Sequence, residues 1–260
     1  MWGGEFWIIK NCPYGQFLVE TNHHFFYKFL EVSVAIKYIG FDCGNVLVQF
    51  DTERFYSFVR RHGKSNLEPQ ELFSGSKVHI IKGYDLGKLD DEEFFSQVKE
   101  AFQLGEVPSE VFFYLMSAIV IPDYKMLELR DNFRRRGVGT VLISNMNNFH
   151  FRYLMGKYPE VLSGFDYSMI SSHEGVAKPD TEAWIRPLDY LGIKGEGMVY
   201  IDDVFENVQV ACDLGIRGWH YNVKDKNFLS CGALERERGK FGEFLELMWN
   251  KGILKPYENK

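Results

Sequence analysis

Cysteine is scarce and scattered. Cys12, Cys43, Cys212 and Cys231 form no CxxC pair and have no histidine at zinc-like spacing, so neither a disulfide framework nor a structural zinc site is expected. Reduced thiols in a cytoplasmic protein are the economical reading. A basic excess is also missing: 30 Lys and Arg face 36 Asp and Glu, a formal charge of −6. A chain that neutralises many phosphates of a nucleic acid shows the opposite balance. The one dense basic cluster, Arg134-Arg135-Arg136, closes a predicted helix, where cations complement the dipole. The longest apolar run, VFFYLMSAIVI (111–121), ends at Pro122; it is too short to span a bilayer and reads as a core helix. The N-terminus carries Glu5 and lacks a basic region, an apolar stretch and a small-residue cleavage site, so no signal peptide is expected. Neither nucleic acid nor membrane is an expected partner, and the oligomeric state is left open.

Apolar residues are plentiful at 45%, with 23 phenylalanines among them, enough for a sizeable core. The aromatics are expected to pack rather than to stack on bases. Residues 1–33 show neither clear periodicity nor turn logic. They read either as an N-terminal extension or as an upstream stretch joined by a misassigned start. Codons for Leu30-Glu31-Val32 can contain a ribosome-binding sequence, and Val34 could be a GTG start. Both readings stay open.

From Val34 onward the order of elements is informative. An apolar strand, VAIKYIGF (34–41), leads into a mostly helical stretch from about 52 to 136. DTERFYSFVRRHG, LDDEEFFSQVKEAFQLG and DYKMLELRDNFRRRG each pair a capping residue with apolar residues at helical spacing and a closing glycine. Strand and helix then alternate: VGTVLIS (138–144), a helix near 149–157, FDYSMIS (165–171), TEAWIRPLDYLG, MVYID (198–202), ENVQVACDLG and IRGWHY (216–221). Pro187 predicts a kink or a late start in its helix, and FGEFLELMWNKG reads as a closing amphipathic helix. Such alternation implies an α/β fold with a Rossmann-like parallel sheet covered on both faces. The expected division is a core of 34–51 and 131–260, with residues 52–130 as an inserted helical cap domain.

In an open α/β sheet, ligands bind outside the carboxyl ends of the strands. Those ends carry Asp42, then Ser144-Asn145, then Lys178 in GVAKPD, then Asp202-Asp203. Taken singly, each is ordinary turn or cap chemistry. In this order FDCGNVL, LISN, GVAKPD and YIDDVFEN resemble the four motifs of the haloacid dehalogenase superfamily, over about residues 34–222. The resemblance implies a helical cap of the first type and a hydrolase acting on phosphate monoesters. It implies Asp42 as the nucleophile that forms an aspartyl-phosphate. Ser144, Asn145 and Lys178 would hold phosphoryl oxygens. Mg²⁺ would be bound by Asp42, the Gly44 carbonyl and the pair Asp202 and Asp203. Lys178 would also hold the carboxylates together, and Asn207 would orient the loop after Asp203.

One position departs from the family. Its phosphatases usually carry a second aspartate two residues after the nucleophile, as general acid and base. Gly44 stands there, followed by Asn45. A similar D-x-G-N loop occurs in a subgroup resembling sugar-phosphate phosphatases, so a small phosphorylated metabolite, a sugar phosphate among the candidates, is the implied substrate. Two other readings remain: a non-catalytic binder of phosphometabolites or of a protein, and a 2-haloacid dehalogenase. The second is disfavoured because Asp202 and Asp203 would repel an anionic substrate without a cation. Lys64, Lys77, His79, Lys82 and Tyr84 are candidate cap contacts, although they also suit any solvated helical surface. Cys43, beside Asp42, has no basic partner near it in sequence to make a thiolate.

Overall fold

In the computed structural model, residues 34–221 and 231–257 are described; the N-terminal stretch 1–33, with Cys12, lies outside them. The centre is a five-stranded parallel sheet of order β5-β4-β1-β6-β7, with β1 Tyr38–Phe41, β4 Gly139–Ser144, β5 Tyr167–Ile170, β6 Met198–Asp202 and β7 Arg217–His220. The three inner strands β1, β4 and β6 are buried at every residue. The edge strands β5 and β7 are partly exposed. That division is what covering both faces of a parallel sheet with helices produces. The first strand is shorter than VAIKYIGF suggests, because Ile36 bridges instead to Leu254 near the C-terminus.

A two-stranded antiparallel pair, β2 (Val48–Phe50) and β3 (Val120–Pro122), forms a neck between two parts of the chain. Asp51 N–H donates to Ile119 at 2.8 Å and Asp123 N–H to Leu47 at 2.8 Å, closing the neck at both ends. The run 111–121 is therefore not one helix. Helix α5 (Ser109–Ala118) stops and β3 begins at Val120, since β-branched residues there pair with β2.

Between β2 and β3 lie α1 (Thr52–His62), α2 (Glu71–Ser74), α3 (Val78–Asp85), α4 (Asp91–Phe102) and α5. Asp90 and Glu93 form a capping box that starts α4. The phenylalanines fill the interior of this cap: Phe94 stacks on Tyr84 at 4.0 Å, and Phe112 meets both Phe94 and Phe55. Tyr84, a candidate surface contact from sequence, is buried there, with its hydroxyl on Asp91 at 2.7 Å.

The rest of the described chain covers the sheet. It comprises α6 (Tyr124–Arg135), α7 (Asn148–Lys157), α8 (Pro159–Leu162), α9 (Ser171–Glu174), α10 (Glu182–Leu191), α11 (Phe205–Asp213) and α12 (Cys231–Asn250). Helix α6 packs on the core rather than in the cap: its Met126, Leu127 and Phe133 are buried, and Arg136 just beyond it pairs with Glu246 on α12. The cap insertion therefore ends near Ile119. Helix α10 runs through Pro187 without a second start. No described helix is long and apolar enough to cross a membrane.

The cap is held over the carboxyl rim of the sheet by polar contacts from the core. Ser171 Oγ donates to the Asp85 carbonyl at 2.5 Å, and Asn147 Nδ2 donates to the Asp85 carboxylate at 3.0 Å. Arg152 on α7 pairs with Asp91 on α4 at 2.5 Å.

Candidate active site

Strand β1 delivers Asp42 to the rim, where its N–H donates to the Ile201 carbonyl at 2.9 Å. The chain then turns tightly: the amides of Val46, Leu47 and Val48 all converge on the Cys43 carbonyl. Asn45 adopts the left-handed conformation, with φ +55°, which costs a residue with a side chain less when that residue is asparagine. Neighbouring β4 delivers Ser144, buried at the same rim, and β6 delivers Asp202 and Asp203. Lys178 arrives from the loop before α10, across a cis peptide bond to Pro179.

These groups converge. Lys178 Nζ lies 2.8 Å from the Asp42 carboxylate and 2.7 Å from that of Asp202. One carboxylate oxygen from each of Asp42, Asp202 and Asp203 falls within 4.8 Å of the others. Asn145 does not aim its side chain at this centre. Its amide donates to the Lys178 carbonyl at 2.9 Å and accepts from the Lys178 N–H at 2.8 Å, so any phosphate contact from Asn145 falls to its backbone. The Cys43 thiol is buried, and burial together with Asp42 pushes its pKa far up. It is not a thiolate nucleophile.

Asp202 and Asp203 differ sharply although adjacent. Asp202 is fully buried and accepts at Oδ2 from Lys178, from the Tyr200 hydroxyl at 2.5 Å and from Asn207 Nδ2 at 3.0 Å. Its Oδ1 takes the Val204 N–H at 2.7 Å. Oδ2 of Asp202 is thus fully engaged by protein donors while Oδ1 holds one, so Asp42 and Asp203 are the less encumbered carboxylates of the three that cluster for a cation. Asp203 is half-buried and accepts from Asn45 Nδ2 at 2.9 Å, while His220 Nε2 holds its backbone carbonyl at 3.1 Å.

Sequence reasoning assigned no role to Tyr200, Asn45 or His220. Tyr200 has a signal in hindsight, a phenol within an otherwise aliphatic buried strand. Asn207 donates to Asp202 rather than to Asp203, which the D-x-x-x-N spacing alone does not reveal.

The charge balance bears on a metal. Burial drives the Asp42 pKa up to about 8; the pull of Lys178 is outweighed by burial with the repulsion of Asp202 and Asp203. Burial alone would lower the Lys178 ammonium, but Asp202 and Asp42 outweigh it and hold it protonated. Three carboxyl groups share one ammonium, and the raised Asp42 pKa is the mark of that shortage of positive charge. Hard oxygen donors with such a shortage fit Mg²⁺.

Gly44 is tied to the neck. A Cβ added there would lie 2.9 Å from Cε2 of Phe50, so the Phe50 ring occupies the space a side chain would need. Behind Phe50, with ring centroids 6.1 Å apart, sits His150. Its Nε2 lies 3.1 Å from the Met116 carbonyl, an acceptor only, so Nε2 carries the proton. Nδ1 then accepts from Asn147 Nδ2 at 3.2 Å. Burial lowers the His150 pKa, and the ring stays neutral with both nitrogens committed.

No protein-family model matches the chain. A HAD family enzyme of Bacteroides thetaiotaomicron, solved in complex with magnesium and inorganic phosphate, superposes with a TM-score of 0.61 at 25% identity, covering 74% of this chain and 96% of that one. "Sesquiterpene phosphatase astK" of Aspergillus oryzae is 27% identical over 139 residues, 53% of this chain and 69% of that protein. "Acyl-CoA dehydrogenase family member 10" of the mouse is 28% identical over 144 residues, 55% of this chain; the matched segment spans 13% of that protein's length.

Proposed function

We propose that this chain, which belongs to the haloacid dehalogenase superfamily, is a Mg²⁺-dependent phosphatase acting on a small phosphorylated metabolite through an aspartyl-phosphate. The observation that carries the reading is Asp42 itself: a buried carboxylate at the end of the central strand, 2.8 Å from Lys178 and clustered with two further aspartates. Its support from relatives is a solved neighbour that holds magnesium and phosphate, and another relative named as a phosphatase.

Asp42, the Gly44 carbonyl and Asp203, with Asp202 beside them, would hold Mg²⁺, which would supply the positive charge that an anionic phosphate needs to approach these carboxylates. Asp42 attacks phosphorus in line with the departing oxygen. Ser144 and Lys178 hold the phosphoryl oxygens, and Lys178 orients Asp42 against the fixed Asp202. Such positioning and charge stabilisation carry most of phosphoryl transfer. Water then attacks the aspartyl-phosphate, restoring the carboxylate and releasing phosphate, which takes up the water's proton.

The missing acid at Gly44 selects the substrate. General acid catalysis contributes on the order of 10²–10⁴-fold, and its loss costs least when the leaving oxygen is already acidic. Sugar 1-phosphates, acyl phosphates and aryl phosphates are therefore preferred to primary alkyl phosphates such as sugar 6-phosphates. A terpenyl phosphate belongs on the same panel, given the name of the Aspergillus relative. Turnover of such a panel with Mg²⁺, lost on metal stripping with EDTA and restored by Mg²⁺, is the expected result. Full rates in metal-stripped protein would refute the metal dependence. No turnover of any ester would leave the chain a phosphometabolite binder.

A further inference from the structure

We infer that Phe50 occupies the place a side chain at position 44 would need, and so keeps an acid out of the position that Gly44 leaves open beside the nucleophile; the inference rests on the phosphatase reading above. The residue two positions after the nucleophile is where a carboxylic acid would reach the departing oxygen. Here that position is glycine, and the glycine is not a simple vacancy. The Phe50 ring lies against its Cα, with Cε2, Cζ and Cδ2 at 2.9, 3.7 and 3.9 Å from the place a Cβ would take.

Phe50 is itself anchored. It lies on β2, paired with Val120 of β3, at the last strand residue before the neck closes through Asp51 and Ile119. The strand pairing fixes where the Phe50 backbone stands, and the His150 ring lies 6.1 Å from the Phe50 ring, centroid to centroid.

The ionisable ring beside Phe50 offers no replacement proton. His150, the ionisable ring beside Phe50, is neutral and spends both nitrogens on Met116 and Asn147. The charges felt at Asp42 are those of Lys178, Asp202 and Asp203. Lys178 and Asp202 are bound to each other, and Asp203 accepts a hydrogen bond from Asn45.

The flank of the nucleophile is therefore an aromatic wall. When Asp42 bonds to phosphorus, the bond to the leaving oxygen breaks and its electron pair departs with that oxygen, unprotonated. Solvent supplies the proton later.

The test is a double-mutant cycle of wild type, Gly44→Asp, Phe50→Ala and the double variant, assayed with Mg²⁺ on aryl phosphates of graded leaving-group acidity. Wild type should show a steep dependence of kcat/KM on that acidity. Gly44→Asp alone should stay as steep, because the ring displaces the new carboxylate. The double variant should flatten, with the least acidic leaving groups gaining on the order of 10²-fold. Equal flattening in Gly44→Asp alone, or no flattening in the double variant, would overturn the inference.

Melting of the same four proteins gives a second readout. Gly44→Asp should destabilise wild type more than it destabilises Phe50→Ala, and destabilisations that simply add would also overturn it. A wild type inert toward every ester defeats the phosphatase reading and with it any role in specificity, and the melting cycle still decides whether Phe50 holds the acid's place.

Discussion

The floor of the site and its neck-side wall are built on opposite principles. On the floor Lys178, Tyr200 and Asn207 crowd one oxygen of a buried carboxylate, Asp202. On the wall, Gly44 has no side chain, Phe50 fills the gap, and His150 is held neutral. A saturated polar network is rigid, and breaking it is costly because each orphaned group is buried. An aromatic wall is inert and tolerates exchange. The site therefore concentrates its fixed charge where phosphate is held and withholds proton transfer where the leaving group departs.

The largest effect expected is on the nucleophile that stands between floor and wall. Asp42→Asn, nearly isosteric but unable to form the acyl-phosphate, should lower kcat on the order of 10⁴-fold or more while the folded spectrum persists. Wild-type turnover in that variant would refute the mechanism.

Breaking the floor should be felt in stability as well. Lys178→Met strands Asp202, which is fully buried, and the cost of removing one partner of a buried pair is about 3–5 kcal/mol. Urea denaturation in metal-free buffer measures it. A loss below about 1 kcal/mol would refute the pairing of Lys178 with Asp202 as a stabilising contact.

Asn45 joins the two regions, since its amide reaches from the nucleophile loop to Asp203. Asn45→Gly keeps the left-handed turn and deletes that donor. Mg²⁺ affinity by calorimetry, without substrate, should weaken about tenfold, the scale of one hydrogen bond to a charged group. The melting temperature should stay close to that of wild type, because glycine suits φ +55°. Unchanged affinity would assign Asn45 to the turn alone.

The smallest effect concerns the seam above the wall. Burial raises Asp85 from 3.8 to about 6, and the hydrogen bond from Asn147 offsets it only in part. Between those values the folded protein binds more protons at Asp85 than the unfolded chain does, so its contribution to stability falls as pH rises. Asp85→Asn keeps an acceptor for Asn147 and removes that penalty. Above pH about 6 the variant should be more stable by up to about 3 kcal/mol, a gap that closes toward pH about 4. A gap independent of pH would show that Asp85 does not titrate in this window.

Much of this organisation was legible in the chain. Continuous apolar runs such as VGTVLIS and MVYID mark buried parallel strands because both faces are covered, and Asp42, Ser144, Lys178 and Asp202-Asp203 sit at rim positions that topology alone brings together. Where the sequence misled, a non-local partner decided. The run 111–121 divides because β3 pairs with β2 across the whole cap. The strand does not continue back through Ile36 because the C-terminal segment pairs with it at Leu254.

What the sequence by itself determined is the local grammar: strand, turn, helix, and which residue types stand at each strand's end. Backbone hydrogen bonding and apolar periodicity act over a few residues, so the chain writes them directly. Only the tertiary structure decided which of two adjacent aspartates is the more engaged, that Asn145 braces Lys178, and that Phe50 fills the space beside Gly44. Those outcomes depend on distance between residues far apart in sequence, and on desolvation that exists only once the cap and the sheet have closed around them.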